Sequence, residues 1–305
     1  MNDSKNDTEP SSDACLLPQT HIIAMISINL LSIVIGTIGN ALVVGAVYTN
    51  SSLRIISNYW LASMAMADLM VTALGQPFLV AFLALQMNGE CNEPVSETFR
   101  VVGNMSCAAS VLHLCFLSVD RCLVIVRPLD FKKIRTMVRF KTALFFAWIT
   151  PIIYCVLRLT INMKATSYFT VIAGALCYVT IIACYTMIII KVCTRKTENL
   201  RSSRGSRAEE AVERRVTVTI AIVVLVFTIS WVPMMYLRSA YAGSNVGIAY
   251  NWARTVALSN SALNPWIYCF RAVEFRKTYK KLLGCDRNRA NSKSRYWLKK
   301  LQSSN

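Results

Sequence analysis

Asp68, in the run Met64-Ala65-Met66-Ala67-Asp68-Leu69-Met70, is the sole acidic residue in the middle of any long apolar segment. Holding an ionisable group there is costly, so it is a functional candidate by default, suited to binding a cation or moving a proton. Four arginines form a second group. Arg100 precedes Arg121 by twenty-one residues, which is ~31 Å of helix at 1.5 Å per residue, so the two belong at opposite ends of one span. Arg238 lies seven residues after Trp231, Arg254 fourteen before Tyr268, and Arg158 ten after Trp148, which sets all of them towards the outer mouth. A guanidinium makes forked hydrogen bonds to carboxylate and phosphate, and four of them at one mouth would seat an anion. The plainer reading is that they snorkel to headgroups or pair with Glu90, Glu93 and Glu97 in the same region. Gly103 and Asn104 accompany Arg100 on its span. Met234, Met235, Tyr250 and Phe99 complete an apolar setting that suits a lipid tail or simple packing.

The elements that must position these groups are membrane spans. Of 305 residues, 54% are hydrophobic and 16% charged, and mean hydropathy is +0.43, against about a quarter charged in soluble domains. Apolar runs long enough for a ~30 Å hydrocarbon layer are read at 22–48, 57–85, 95–127, 139–161, 168–193, 212–241 and 248–270. The expected fold is therefore an all-α membrane protein with seven transmembrane helices. Residues 1–21 form an extracellular tail, 22–270 the bundle, 271–285 a short amphipathic eighth helix and 286–305 a cytoplasmic tail.

Topology follows from two independent signals. Asn2-Asp3-Ser4 and Asn6-Asp7-Thr8 fit the N-glycosylation acceptor pattern, which acts on the lumenal side and places the N-terminus outside. Residues 1–20 lack the basic start and apolar centre of a cleavable signal, so the first span serves as the signal. Of 33 basic residues, only Lys5, Arg100, Arg158, Lys164, Arg238 and Arg254 fall on the outward half, and most others cluster at 127–141, 191–215 and 271–300. That bias is the positive-inside pattern. It accounts for the net charge of +17 as topology and attraction to anionic inner-leaflet lipids, without nucleic acid. Six of the eleven cysteines lie in apolar helices as small hydrophobes. Cys15 and Cys91 are both outside, and a bridge between them is expected.

No repeat of fixed period and no matching broken helices are present, which argues against a carrier. A channel or transporter is the alternative of a different class, and one buried carboxylate without a charged pore gives it no evident path. The segment from Glu274 to Leu283 alternates basic and apolar residues at helical spacing, as in a helix lying on the membrane surface. Cys285 at its end is a candidate for palmitoylation.

Three features share one order and spacing: Asp120-Arg121 at the inner end of the third span, Trp231 with Pro233 in the sixth, and Asn264-Pro265-Trp266-Ile267-Tyr268 in the seventh. Together they resemble the rhodopsin-like (class A) G-protein-coupled receptors from Asn40 to Cys285. The resemblance implies a plasma-membrane receptor, not an enzyme, that promotes nucleotide exchange on a heterotrimeric G protein and meets arrestin and receptor kinase. It implies a lock between Arg121 and Glu213, the alternative being that Glu213 belongs to a solvated helix start. It also implies a sodium ion at Asp68 held with Asn40, Ser110, Asn260 and Asn264, the alternative being a protonated Asp68 in a polar water network. No other cofactor is expected. Phe227 and Trp231 match the aromatic pair above the Pro233 hinge, and Tyr185 and Tyr268 the two inner tyrosines.

The chain also departs from the family. Cys122 follows Arg121 where tyrosine is usual, Cys177 replaces the proline of helix five, and Ser96 replaces the helix-three cysteine of the cross-loop disulfide. A very short loop near Asn162–Thr166 without a cysteine, the missing bridge and the missing helix-five proline together look like the branch holding melanocortin, lysophospholipid, cannabinoid and adenosine receptors. Gly103 occupies the position where amine receptors carry an aspartate, and helix seven has no lysine for retinal. An anionic lipid or a carboxylate is the leading ligand class, with a peptide as the alternative.

Overall fold

The computed structural model describes residues 17–90, 93–127, 136–160, 163–198, 218, 221–237, 247–271 and 273–285. Glu213, Arg238, Asn2, Asn6, Cys15 and Cys91 lie outside the described residues, as does the side chain of Arg158. Among the described residues there is no strand. The chain runs α1 (Gln19–Thr49), α2 (Ile56–Met87), α3 (Glu93–Val126), α4 (Met137–Thr160), α5 (Met163–Glu198) and α6 (Ala221–Leu237). Then come α7 (248–271) and α8 (Val273–Leu282). The first five are long and apolar enough to cross a bilayer. The fifth extends beyond the 168–193 read from hydropathy, because its basic inner end stays helical after leaving the apolar layer.

Two helices are interrupted where they carry the polar centre. In α2 the segment Val71–Gly75 is a single π turn between the α-helical stretches Ile56–Met70 and Gln76–Met87. In α7 a 3-10 turn, Asn260–Ala262, separates Ile248–Ser259 from Asn264–Arg271. Gly36 of α1 permits the approach of both. A Cβ there would meet Thr72 Cγ2 at 2.5 Å and Ala262 Cβ at 3.0 Å. Buried amides tie the same three helices further out. Gln76 Nε2 donates to Asn29 Oδ1 at 3.1 Å and Ser32 Oγ at 2.9 Å, and Asn29 Nδ2 donates to Thr255 Oγ1 at 3.4 Å.

Apolar packing falls into a large inner core, including Trp60, Leu117, Ile188 and Tyr268, and a smaller outer one around Met25, Leu79, Leu83 and Phe99. Long apolar side chains on the outside of α1, α4 and α5, such as Leu31, Phe145 and Ile189, remain exposed, as lipid-facing residues should. Between α2, α3 and α4, Trp148 Nε1 donates to Ser63 Oγ at 3.0 Å, and Ser63 Oγ lies 2.8 Å from His113 Nε2. α8 packs along the inner end of α1, with Phe275 and Tyr279 buried and Asn50 Nδ2 donating to Thr278 Oγ1 at 2.9 Å. Cys285 follows and is exposed.

Candidate functional site

The centre is Asp68, which α2 holds 1% exposed between α3 and α7. Ser110 Oγ donates to its Oδ1 at 2.7 Å and Asn264 Nδ2 to its Oδ2 at 2.8 Å. Asn260 and Asn264 line the same cavity, and the Oδ1 of each is buried without a hydrogen-bond partner. Asn40 stands behind this cavity. Its Nδ2 donates to Gly36 O at 2.9 Å and Ser261 O at 3.0 Å, fixing the 3-10 turn that carries Asn260. A carboxylate, a hydroxyl and two unpaired amide oxygens form an all-oxygen donor set, which suits a hard cation.

Phe227 and Trp231 form the side of that cavity towards α6. Their rings stack at 5.4 Å with an interplanar angle of 20°. Pro233, within α6, follows Trp231 by two residues. A mid-helix proline removes one backbone hydrogen bond, so α6 bends most readily beside the residue that walls the Asp68 cavity.

At the inner end, Arg121 is buried, 2.5 Å from Asp120 Oδ2, and its Nη2 also donates to Ser57 Oγ of α2. Tyr185 and Tyr268 are buried nearby in the inner core, their hydroxyls without partners. Two of the departures from the family pattern meet other cysteines across α3 and α5: Cys122 faces Cys184, and Cys177 faces Cys115.

The outer arginines are not alike. Arg100 is ion-paired with Glu97 at 3.0 Å, both side chains 36% exposed. Arg254 instead sits among aromatic rings, its Cζ 4.6 Å from the Phe99 centroid, 5.5 Å from Phe82 and 5.7 Å from Tyr250. Its Nη2 donates to Asn251 Oδ1 at 2.6 Å, while its Nε is buried without a partner. Among the described residues it forms no ion pair. Phe99 lies back along α3 over Gly103, where a Cβ would meet the ring at 3.3 Å. Asn104 and Met235 are half-buried and Met234 is buried in the larger core, against which Tyr250 also packs. The sequence reading missed Phe82 and Ser57, whose roles exist only through contacts between separate helices, and Asn251, one turn before Arg254 on α7.

Residues 39–268 match the family described as 7 transmembrane receptor (rhodopsin family). The chain belongs to that family. It is 26% identical over 298 residues to the histamine H2 receptor of Rattus norvegicus, covering 89% of this chain and 83% of that one. With somatostatin receptor type 2 of Sus scrofa the identity is 29% over 314 residues, covering 92% and 81%. The crystal structure of squid rhodopsin superposes with a TM-score of 0.75 at 18% identity, covering 88% of this chain and 87% of that one, which shows the shared fold. As a rhodopsin-family member this receptor is a multi-pass membrane protein, not an enzyme, that answers an extracellular ligand by signalling through a heterotrimeric G protein.

Proposed function

We propose that the receptor is switched by an anionic ligand, an acidic lipid or carboxylate, that pairs with Arg254. The observation that carries this is the guanidinium held among Phe82, Phe99 and Tyr250 without an ion pair among the described residues. A half-buried guanidinium ringed by aromatic groups is poorly solvated, and a ligand that supplies the opposite charge compensates it on binding. A cationic amine is disfavoured, although histamine and trace-amine receptors are among the relatives. Gly103 offers no carboxylate to an ammonium, and Arg254 would repel it. The somatostatin relative favours a second reading, a peptide whose own carboxylate takes the same seat.

Charge neutralisation at Arg254 draws α7 and α3 together above Trp231. Trp231 then shifts against the Asp68 cavity, α6 turns at Pro233, and the inner end opens around Arg121. A sodium ion at Asp68, Ser110, Asn260 and Asn264 would stabilise the resting arrangement, a reading supported by the unpaired Asn260 and Asn264 oxygens. Glu213 is proposed as a further partner of Arg121 in the resting state.

The receptor is proposed to sit in the plasma membrane with its N-terminus outside, glycosylated at Asn2 and Asn6. Cys285 is proposed to carry a palmitoyl chain, and Cys15 and Cys91 to be bridged. Arrestin and receptor kinase are proposed as inner partners, the hydroxyls of Ser292, Ser294, Ser303 and Ser304 offering phosphorylation sites.

The test is GTP-analogue exchange in membranes with co-expressed G proteins. Dodecanoate, lysophosphatidate, a neutral monoacylglycerol, histamine and a peptide panel are compared on wild type, Arg254→Ala and Arg100→Ala/Arg254→Ala at matched surface number. Activation by anions alone, lost in both variants, supports the reading. Neutral or cationic ligands acting equally on all three forms would overturn it.

A further inference from the structure

Cys122 and Cys177, which stand where the family carries a tyrosine and a proline, are each one half of a thiol pair. Cys122 is in hydrogen-bonding contact with Cys184, and Cys177 with Cys115, so α3 and α5 meet through sulfur twice. The four positions share one register. Cys115 and Cys122 are seven residues apart on α3, and Cys177 and Cys184 are seven apart on α5. Both rungs of this ladder therefore form only if the two helices run parallel and pack with a seven-residue repeat. Seven residues advance a helix by about 10.5 Å, two turns. All four cysteines are free thiols.

The inner rung is the one placed to act on signalling. Cys122 follows Arg121 and Cys184 precedes Tyr185, so a bond between the two sulfurs would tie together the backbones that carry both inner switch side chains. Cys122 stands one turn from the inner end of α3 at Val126, close to the aqueous face where dithiol reductants keep thiols reduced. The rung at Cys115 and Cys177 lies two turns deeper in the apolar layer, away from such reductants. A lone buried thiol is inert. Cys122 differs in having a second thiol in contact, ready to trap its first oxidation product before it goes further.

We propose that Cys122 and Cys184 are a redox modification site, closed to a disulfide by a hydroperoxide that enters the bilayer, and that the closed bridge holds the receptor in its resting arrangement. One sulfur, as thiolate, attacks the peroxide O–O bond and takes one oxygen as a sulfenic acid, while the other oxygen leaves as alcohol or water. The partner sulfur then attacks the sulfenic sulfur, forms the S–S bond and expels hydroxide, which takes up the thiol proton and leaves as water. In sum, two thiols lose two electrons and two protons, the peroxide gains them, and disulfide, alcohol and water result. A dithiol reductant reopens the bridge by thiol–disulfide exchange. With the bridge closed, the inner ends of α3 and α5 cannot slide past one another, and Arg121 stays with Asp120 and Ser57.

Membranes carrying wild type or Ser57→Ala receptor are treated with tert-butyl hydroperoxide. The peroxide is removed, and purified G protein is added only afterwards, so that its own thiols are spared. Non-reducing peptide mapping should find Cys122 joined to Cys184, and thermal unfolding of the solubilised receptor should move to higher temperature. Ligand-free GTP-analogue exchange should fall by about fivefold or more, within the usual range of coupling between linked sites, and return with dithiothreitol. Cys122→Ala and Cys184→Ala should each keep their exchange after peroxide, while Cys115→Ala/Cys177→Ala should lose it as wild type does. Either single variant opens the same bridge, so the test stands if one of them fails to reach the surface. Absence of a Cys122–Cys184 peptide from wild type overturns the proposal, as does a bridged receptor that exchanges nucleotide like the reduced one. A peroxide response kept in Cys184→Ala but lost in Cys115→Ala/Cys177→Ala assigns the site to the deeper rung and likewise overturns it. None of these measurements needs a ligand, so the anionic reading of Arg254 is tested separately.

Discussion

At the residue scale, what distinguishes Asp68 from Arg121 and Arg254 is how each charge is satisfied. Asp68 receives hydrogen bonds from Ser110 and Asn264 and lies beside unpaired amide oxygens. If a sodium ion completes that site, agonist affinity in wild type should fall about 5–150-fold when sodium replaces a bulky organic cation, the usual range of coupling between linked sites. Asp68→Asn should remove most of this difference, and radioligand competition in the two salts would show it. Arg121 is tied to Asp120 and, across helices, to Ser57. Ser57→Ala removes the cross-helix half of that restraint. Since a hydrogen bond to a charged group contributes ~1.5–3 kcal/mol, ligand-free nucleotide exchange should rise by roughly tenfold or more. Unchanged basal exchange would mean that Asp120 alone holds the arginine. Asp68 was legible in the sequence as a lone charge in an apolar run, and Arg121 through the Asp120-Arg121 motif that the family resemblance supplied. Ser57 and Phe82 were not, since an ordinary serine or phenylalanine acquires its role only from a helix distant in sequence, whereas Asn251 stands at i, i+3 spacing before Arg254 and could have been read.

At the element scale, the hydropathy pattern located the spans to within a few residues in most cases, because burial in lipid demands continuous apolar helix. The breaks inside them were missed, although each is followed by a proline, Pro77 and Pro265, which has no N–H for the carbonyl four residues back. The form of the two turns, one π and one 3-10, is set by how α1, α2 and α7 approach one another. Gly36 is where that approach is tightest. Gly36→Ala should destabilise the receptor by ~1–3 kcal/mol, the usual cost of overpacking. Gly45 has only Leu282 Cδ1, 3.5 Å from its would-be Cβ. There the same change should be neutral or stabilising by up to ~1 kcal/mol, from the helix preference of alanine over glycine. Thermal unfolding of the two detergent-solubilised variants should therefore move in opposite directions, and equal losses would count against a close α1–α2–α7 contact at Gly36. Cys122 is a similar case. Its small thiol fills a buried place opposite Cys184, so the departure from the family's tyrosine is also a change in how α3 meets α5.

At the scale of the whole molecule, charge and hydropathy divide the receptor into an outer mouth with few cations and a basic inner face. If the N-terminus is outside, a glycosidase applied to intact cells should lower the apparent mass of the wild-type protein. Asn2→Gln and Asn6→Gln should each remove part of that shift, and the double variant all of it; a glycosidase-resistant wild type would undo this topological argument. Fold class and family were legible at this scale from three short motifs. The ligand was not, because four arginines assigned to one mouth by residue counting resolve, among described side chains, into one matched by Glu97 and one held by aromatic rings.

The π turn in α2 bears on how such a mouth changes over evolutionary time. It places one extra residue between Asp68 and the outer stretch that carries Gln76 and Phe82. Because the wide turn absorbs that residue, losing a single codon within 71–75 would restore regular winding and leave the outer stretch on its present faces, whereas rewinding the turn without the loss would rotate everything beyond it by about 100°, one residue's worth of helix. The carboxylate at Asp68 would then stay in place while Phe82 left Arg254 and Gln76 left Asn29. The winding of one turn thus sets the register between ligand chemistry and signalling machinery on this helix, a variable that substitution-by-substitution comparison would not register.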